Sequence, residues 1–172
     1  MAGAIATALK QQSKFNSREQ EVLLGLRIAT ARILDPWEKF LKTSADLTPN
    51  QYNALRILRG SHPSRLACGE IADRMISRDP DITRLIDRLS ARDLVDRVRS
   101  ERDRRVVEVG ITAKGRAILR DLDVHAERMP KAMLGRLGPK RLAQLAQLLE
   151  HVLLEMGTFP EEPRSGGTGS GV

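Results

Sequence analysis

The sequence contains one cysteine, few aromatic residues and no long uncharged apolar run. The single cysteine, Cys68, excludes an intramolecular disulfide and fits the reducing cytoplasm, where we expect the protein. A membrane-spanning helix needs about 18 or more consecutive apolar residues, so the sequence predicts no membrane partner. Because aromatic residues are only 3% of the chain, the core must be built from Leu, Ile, Val and Ala, which suits packed helices.

Motifs of metal binding and catalysis are also missing. His62, His125 and His151 lie far apart and lack metal-ligand spacing. His125 and Glu127 are separated by one residue and would not share a helix face, so they form no acid/base pair. Neither a glycine-rich phosphate loop nor a nucleophile elbow occurs. We therefore expect no metal, no cofactor and no enzymatic activity.

The chain is basic and mostly helical in pattern. Its net charge of +7 favours nucleic acid or another anionic partner. Ser17 followed by Gln20 predicts the start of a long amphipathic helix, which Pro36 should kink or break. Thr48 before Pro49 predicts the start of a second helix. Two shorter helices are expected from Glu70 to Ile76 and from Pro80 to Arg92, with the final helices after Thr112.

Between the fourth helix and Thr112 the period changes to that of a β-hairpin. β-Branched residues from Val95 to Ile111 flank a charged centre, SERDRR. The predicted order is therefore four helices, a hairpin and two more helices. A short helix, a turn, an amphipathic helix and a charged hairpin follow one another in a winged helix-turn-helix.

The helix from Pro80 to Arg92 carries residues that suit a DNA groove. Its predicted inward side is Ile82, Leu85, Ile86 and Leu89, and its opposite side presents Pro80, Thr83, Arg84, Asp87 and Arg88. Arginine can donate two hydrogen bonds to guanine, and threonine can contact a base edge or a phosphate. A charged outer side is also normal for a surface helix, so this helix alone leaves a solvated face open.

The hairpin is rich in arginine. Five arginines lie within nine residues: Arg97, Arg99, Arg102, Arg104 and Arg105. Such a ribbon can reach phosphates or enter a narrow minor groove. Asp103 is expected to hold an arginine in place by a charge-assisted hydrogen bond. The alternative is a solvated turn without a partner.

The stretch from Leu47 to Gly115 resembles the MarR (multiple antibiotic resistance regulator) family. The most specific matches are TRLIDRL, then LVDR, then Asp103-Arg104-Arg105, and then ITAKG from Ile111 to Gly115. The resemblance implies a dimeric regulator of transcription whose helix with Thr83 and Arg84 reads the major groove. It also implies that the hairpin is the wing. The chain departs from the family at Asp93, where glycine is usual, although Asp tolerates a left-handed backbone.

The resemblance also implies a domain layout. We expect a flexible arm over residues 1–16, a dimerisation helix over 17–46 and a winged helix-turn-helix lobe over 47–115. C-terminal dimerisation helices should follow over 116–156, and a disordered tail rich in Gly, Ser and Pro over 157–172. Pairing of two chains would place two recognition helices about one DNA turn apart, roughly 34–36 Å.

Many family members release DNA when a small anionic or aromatic effector binds between the dimer helices and the lobe. Trp37, Phe40 and Tyr52 cluster at that junction in the sequence, and Arg56 or Lys39 could meet a carboxylate there. These aromatic residues could equally seal the core where two helices meet. Cys68 is interpreted as a small core residue rather than a redox sensor.

Taken together, the sequence predicts a mainly α fold with a small β-hairpin wing. The expected function is that of a homodimeric regulator that binds double-stranded DNA at a pseudo-palindromic operator, as a ligand-responsive repressor. The alternative is a small-molecule-binding or protein-interaction module that retains the winged-helix fold. The two differ in whether the arginines of the helix and hairpin contact DNA.

Overall fold

The computed structural model describes residues 3–77, 81–100, 103 and 105–156, and the chain divides into two compact units, Met1–Glu127 and Arg128–Val172. The elements of the first unit are α1 (Ala4–Ala8), α2 (Arg18–Ala45), α3 (Pro49–Ser61), β1 (Leu66–Ala67), α4 (Cys68–Asp73), α5 (Ile82–Ser90), β2 (Val95–Arg99), β3 (Val107–Ile111) and most of α6 (Ala113–Leu134). The second unit holds the end of α6, a 3-10 turn at Gly135–Leu137 and α7 (Gly138–Met156).

Two helices begin where side-chain caps predict. The Ser17 hydroxyl accepts a hydrogen bond from the Gln20 N–H at 3.2 Å, at the start of α2. At the start of α3, Thr48 Oγ1 accepts from the Gln51 N–H at 3.2 Å, and Gln51 Oε1 accepts from the Thr48 N–H at 2.9 Å. This capping box satisfies two backbone donors that the helix itself leaves without partners. Both predicted helix starts are confirmed.

Pro36 does not break α2, so that part of the prediction is wrong. The helix runs unbroken from Arg18 to Ala45 with Pro36 inside it, on the exposed side. Proline removes one backbone donor, but the turns beyond it bury Trp37 and Leu41. Burial of these two large side chains stabilises the helix past the proline.

The first 16 residues are not only a loose arm, because Ala4–Ala8 forms the short helix α1. Its half-buried Ile5 packs at Gly25 of α2. A Cβ at Gly25 would lie 2.8 Å from Ile5 Cδ1, so glycine leaves the room that this contact requires. A contact between residues 20 apart is not visible in local sequence pattern. The predicted tail over 157–172 lies outside the described residues.

The sheet of the first unit has three antiparallel strands in the order β1-β3-β2. The hairpin register pairs Val95 with Ile111 and Arg99 with Val107. The two-residue strand β1 adds to the other edge of β3 and was not predicted, since so short a segment carries no period. The hairpin itself is confirmed.

The core of the first unit is aliphatic. Its largest fully buried side chains are Leu41, Leu47, Leu55, Leu58, Ile71, Ile86, Leu89, Leu94, Val109 and Leu119. They come from α2 through α6, so the helices and the sheet share one core. The composition had predicted a core of this kind, built with few aromatic rings. None of the described helices is long and apolar enough to cross a membrane.

Candidate nucleic-acid interface

Helix α5 separates buried from exposed side chains sharply. Leu85, Ile86 and Leu89 are buried, whereas Thr83, Arg84, Asp87 and Arg88 are exposed. The inward triad fixes the rotation of the helix about its axis, so both arginines must face outward. Three of the four predicted inward residues are thus buried, and the fourth, Ile82, is half-buried. Of the predicted outward residues, all except Pro80, which lies outside the described residues, are exposed. The helix itself is shorter than predicted, because Asp81 caps it and it ends at Ser90.

Asp81 has two contacts to Arg84 at the start of α5. Its Oδ1 accepts the Arg84 backbone N–H at 3.0 Å, and its Oδ2 lies 3.0 Å from Arg84 Nε. A carboxylate at this position caps the helix and complements the partial positive charge of its N-terminus. Acidic residues in this turn would otherwise repel phosphate, and the cap explains how Asp81 is accommodated.

The base of the hairpin is clamped by an ion pair. Arg65, just before β1, donates from Nη1 and Nη2 to the two carboxylate oxygens of Asp96 on β2, at 2.8 and 2.7 Å. This bidentate pair crosses β3 above Gly110, where a Cβ would lie 2.9 Å from Arg65 Nη1. The hydrogen bonds from Arg65 hold the pKa of Asp96 below its ordinary value. The pair therefore ties the two outer strands together across the middle one.

A second ion pair joins the hairpin to α5. Arg97 Nη2 on β2 lies 2.5 Å from Asp87 Oδ1, and about a third of the Arg97 side chain is exposed. Arg97 was predicted as a DNA contact, and the structure places its guanidinium on the carboxylate of Asp87 in α5. This contact joins β2 of the hairpin to α5.

The outer part of the hairpin carries the remaining described arginines. Arg99 is exposed at the end of β2. Arg105 donates from its backbone N–H to Asp103 Oδ1 at 3.0 Å and from Nε to the same oxygen at 3.2 Å. The backbone N–H of Arg105, and then its side chain, hold the pKa of Asp103 below its ordinary value. The expected hydrogen bond between an arginine and the Asp103 carboxylate is present, with Arg105 as the donor.

Three predicted contact residues, Pro80, Arg102 and Arg104, lie outside the described residues. Of the others, the structure brings Thr83, Arg84 and Arg88 to one exposed face of α5 and Arg97 against that same helix. Chemically, this is a helix with outward arginines beside an arginine-bearing ribbon. Such an arrangement can donate to base edges and phosphates together.

The turn after α5 explains how Asp93 replaces glycine. Asp93 adopts a left-handed backbone with φ of 58°, and its carbonyl accepts a hydrogen bond from Thr112 Oγ1 at 2.7 Å. The same hydroxyl lies 3.1 Å from the Leu94 carbonyl and 3.0 Å from the Gly115 N–H. Thr112 therefore links the turn to the start of α6, and the expected tolerance of Asp at this position is confirmed.

Comparison with known proteins agrees with this geometry. The model of the MarR family matches residues 47–107, from just after α2 to the first residue of β3. A MarR transcription factor from Planctomyces limnophilus is 41% identical over 80% of this chain and 98% of its own, with a TM-score of 0.60. The chain belongs to the MarR family. The family is one of transcription regulators that bind DNA, and the winged-helix fold expected from the resemblance is confirmed.

Other solved MarR-like structures are more distant. MepR from S. aureus, solved as a DNA complex, has a TM-score of 0.69 and 20% identity, over 76% of this chain and 94% of that one. BpsR from Bordetella bronchiseptica, whose DNA binding is regulated by 6-hydroxynicotinic acid, has a TM-score of 0.67 and 25% identity, over 77% and 98%. No curated protein matches the chain.

The predicted effector residues of this MarR-family chain form an aromatic cluster. The Trp37 ring stacks near Phe40 at a centroid distance of 5.6 Å and meets Tyr52 edge-on at 5.0 Å. His125 of α6 stacks on Phe40 at 3.6 Å and lies 6.1 Å from Trp37. The Arg56 guanidinium lies 5.9 Å from the centre of the Tyr52 ring. Burial raises the pKa of Tyr52, and the rings fill space between α2, α3 and α6.

A separate groove of about 560 Å³ runs along α5. Its walls include Leu34 and Glu38 of α2, the N-terminus of α3, and Arg84 and Arg88 of α5. The groove thus brings apolar surface and two arginine side chains together beside the outward face of α5. The four predicted pocket residues lie outside its lining. Among the described residues, no cluster of His, Cys, Asp and Glu could hold a metal ion.

Two residues at important contacts were missed from the sequence. From the sequence, His125 was considered only as an acid/base partner. In the structure its ring stacks on Phe40, which lies 85 positions earlier in the chain. Arg92 was treated as the end of the recognition helix, yet its side chain binds carbonyls at the end of α2. A basic residue just after a helix is a weak signal, and nothing local indicates its distant partner. Cys68, the first residue of α4, is half-buried.

Proposed function

We propose that this MarR-family regulator is a homodimeric repressor that binds a pseudo-palindromic operator and responds to a small aromatic or anionic effector. One observation carries the DNA-binding part of the proposal. Helix α5 buries Leu85, Ile86 and Leu89 on one face and presents Thr83, Arg84 and Arg88 on the other. The wing stands beside that helix through the Arg97–Asp87 pair. The activity is binding without a catalytic step, and we place it in the cytoplasm.

Different arginines should contribute differently to DNA binding. Arg84 and Arg88 are one turn apart and have the reach to donate to guanine in a major groove. Arg99 and Arg105 lie on the hairpin, where a phosphate or a narrow minor groove is the natural acceptor. The proposal therefore assigns base reading to α5 and sequence-independent attraction to the wing.

The homodimer is supported by α7. None of its residues is buried in the single chain. The exposed fractions are 65% for Leu148, 70% for Leu153 and 67% for Leu154. An apolar stripe of this size is normally covered in solution, and a second copy is the occupant that the family relationship supplies. A two-fold dimer would present two α5 helices to two half-sites.

The effector is supported by the aromatic cluster and by the groove along α5. BpsR is regulated by 6-hydroxynicotinic acid, which is a planar aromatic anion. His125 covers the Phe40 ring in the single chain, so a planar acid would take the place of His125 on that ring and pair with Arg56. An effector acts only if it binds the DNA-incompetent dimer better than the competent one.

The proposal is tested by selecting duplexes from a random pool with the parent protein and measuring the affinities of variants. Arg84→Ala should lose roughly 1–3 kcal/mol of binding free energy on the selected duplex. It should also relax the base preference at one position of each half-site. Arg99→Ala and Arg105→Ala should weaken selected and scrambled duplexes alike and reduce the salt slope by about one. Arg120→Ala, on the exposed side of α6, is the matched control for lost charge.

Two results would contradict the proposal. If the parent selects no sequence and binds no duplex at low salt, the chain is a small-molecule or protein-interaction module that retains the fold. If Arg84→Ala loses equally on selected and scrambled DNA, Arg84 contacts phosphate and α5 does not read bases through it.

A further inference from the structure

The end of α2 has a partner in the turn that follows α5, 46 positions later in the chain. α2 closes with Asp46 in the left-handed conformation, and the Asp46 and Leu47 N–H groups donate to Lys42 and Leu41 carbonyls at 3.1 and 3.2 Å. A helix leaves its last carbonyls without intrahelical donors. Here Arg92 supplies them: Nη2 donates to the Ala45 carbonyl at 2.7 Å and Nη1 to the Asp46 carbonyl at 2.6 Å.

The backbone that carries Arg92 is itself firmly placed. The Arg92 N–H donates to the Leu89 carbonyl at 3.2 Å, in the turn that closes α5. Leu94 is fully buried, and its carbonyl accepts from the Thr112 N–H at 3.1 Å. A Cβ at Gly115 would lie 2.3 Å from that carbonyl, so the turn is packed directly on α6. Arg92 thus projects from a turn that is fixed to both α5 and α6.

The chemistry of this contact suits a rigid link. A guanidinium is planar and always charged, and its fork gives two parallel hydrogen bonds of defined direction. Its positive charge also complements the partial negative charge of the α2 C-terminus. A lysine would keep the charge, but its single ammonium group would not hold both carbonyls in a fixed direction.

We propose that Arg92 is a positioning residue that fixes the recognition helix α5 to the end of the dimerisation helix α2. It contacts no base in this role. It determines where the C-terminal turn of α5 lies relative to α2, and hence the separation and orientation of the two recognition helices in the dimer. The inference rests on the proposed homodimer. It makes Arg92 the residue that determines how strictly this dimer requires one spacing of the two half-sites.

The test compares operator geometry rather than affinity alone. Two half-sites from duplexes selected by the parent are joined at the selected spacing, with one base pair inserted, or with one base pair removed. Each step rotates one half-site by about 35° around the helix axis. The affinities of full-length parent, Arg92→Ala, Arg92→Lys and the matched control Arg120→Ala are measured by fluorescence anisotropy at one salt concentration.

We expect the parent and Arg120→Ala to discriminate strongly against both altered spacings. Arg92→Ala should reduce this discrimination at least about threefold, with Arg92→Lys between the two, because a fixed link has become a flexible one. Far-UV circular dichroism and light scattering establish that each variant is folded and dimeric. If Arg92→Ala does not fold, Arg92→Lys decides by the same criterion.

Three outcomes overturn the inference. Unchanged spacing discrimination in the deciding variant would show that Arg92 only stabilises the fold. An equal loss on selected and scrambled duplexes, with a smaller salt slope, would make Arg92 a phosphate contact. If the parent binds DNA without any preferred half-site spacing, there is no spacing for Arg92 to determine. A parent that binds no duplex would instead refute the proposed function itself, so the two failures are distinguishable.

Discussion

Single arginines of the lobe differ in what already holds them. Arg65 and Arg97 are each bound to a carboxylate on a neighbouring element, whereas Arg88 and Arg99 are exposed at the surface. An arginine count therefore overstates the charge that is ready for phosphate. The distinction matters most for Arg97, because its partner Asp87 lies on the outward side of α5.

The effect of removing the Asp87 charge on DNA affinity distinguishes two roles for Arg97, which are orienting the wing and contacting phosphate. If Arg97 orients the wing, Asp87→Asn should weaken binding to the selected duplex about two- to fivefold, the loss expected for a partly exposed ion pair. If Arg97 contacts phosphate, the same change removes a negative charge from the DNA-facing side and should strengthen binding. The measurement is anisotropy with selected and scrambled duplexes, and tighter binding to both would contradict the orienting role.

The Arg65–Asp96 pair gives the lobe a pH dependence. Because Arg65 lowers the pKa of folded Asp96, the unfolded chain binds this proton more readily than the folded chain. The stabilisation is therefore fully present above the ordinary pKa, about 3.9, and is lost as pH falls through the lower folded value. In urea titrations, parent and Asp96→Asn should differ most at neutral pH and converge in acid. A difference independent of pH would contradict this.

At the scale of whole elements, close backbone approach determines how the turn after α5 meets α6. Gly115→Ala would place a Cβ 2.3 Å from the Leu94 carbonyl, and backbone cannot retreat as a flexible side chain can. We expect a loss of about 2–4 kcal/mol in the free energy of unfolding. Urea titration at fixed protein concentration measures it.

The matched control for that substitution is Gly60→Ala in α3. No heavy atom lies within 4 Å of a Cβ built at Gly60. Alanine there should raise the free energy of unfolding by about 0.4–1 kcal/mol, because it restricts the unfolded chain and favours the helix. Equal effects of the two substitutions would show that the contact at Gly115 is not tight.

Elements with local signals were predictable from the sequence, and contacts between distant segments were not. Caps at Ser17 and Thr48 place two helix starts, and β-branched runs on either side of a charged turn place the hairpin. Helix α1 instead packs through Ile5 into the space that Gly25 leaves on α2. The hydrogen bonds from Arg92 to the end of α2 join residues 46 and 47 positions apart. For the site, the outward arginines of α5 followed from periodicity. The ion pair that occupies Arg97 did not.

At the scale of the whole molecule, the exposed stripe of α7 predicts the oligomeric state. Replacing both Leu149 and Leu153 with Glu should give a monomer at micromolar concentration, because each chain would have to bury two charges in the dimer. Both residues are exposed in the single chain, so the helical circular dichroism of the monomer should persist. Light scattering measures the mass, with Glu150→Gln as the control. A monomeric parent, or a dimeric double variant, would contradict the assigned interface.

The effector prediction also concerns the whole molecule. A salicylate-like aromatic acid should change Trp37 fluorescence and release the selected duplex over the same concentration range, since one binding event shifts one equilibrium. Trp37→Phe should remove the optical signal and leave a duplex release that anisotropy still detects. Release without any change at Trp37 would exclude the aromatic cluster and direct attention to the groove along α5.

The cap of α5 has a consequence for the proposed reading of bases by Arg84. Asp81 contacts the backbone N–H and Nε of Arg84, and neither contact uses Nη1 or Nη2. In the proposed complex, Arg84 would therefore present two donors from a side chain whose position the carboxylate has already restricted. Guanine accepts two hydrogen bonds from such a fork, whereas a base with one poor acceptor leaves a donor without a partner. Restricting the side chain before DNA arrives would reduce the conformational entropy that is lost when the correct base binds.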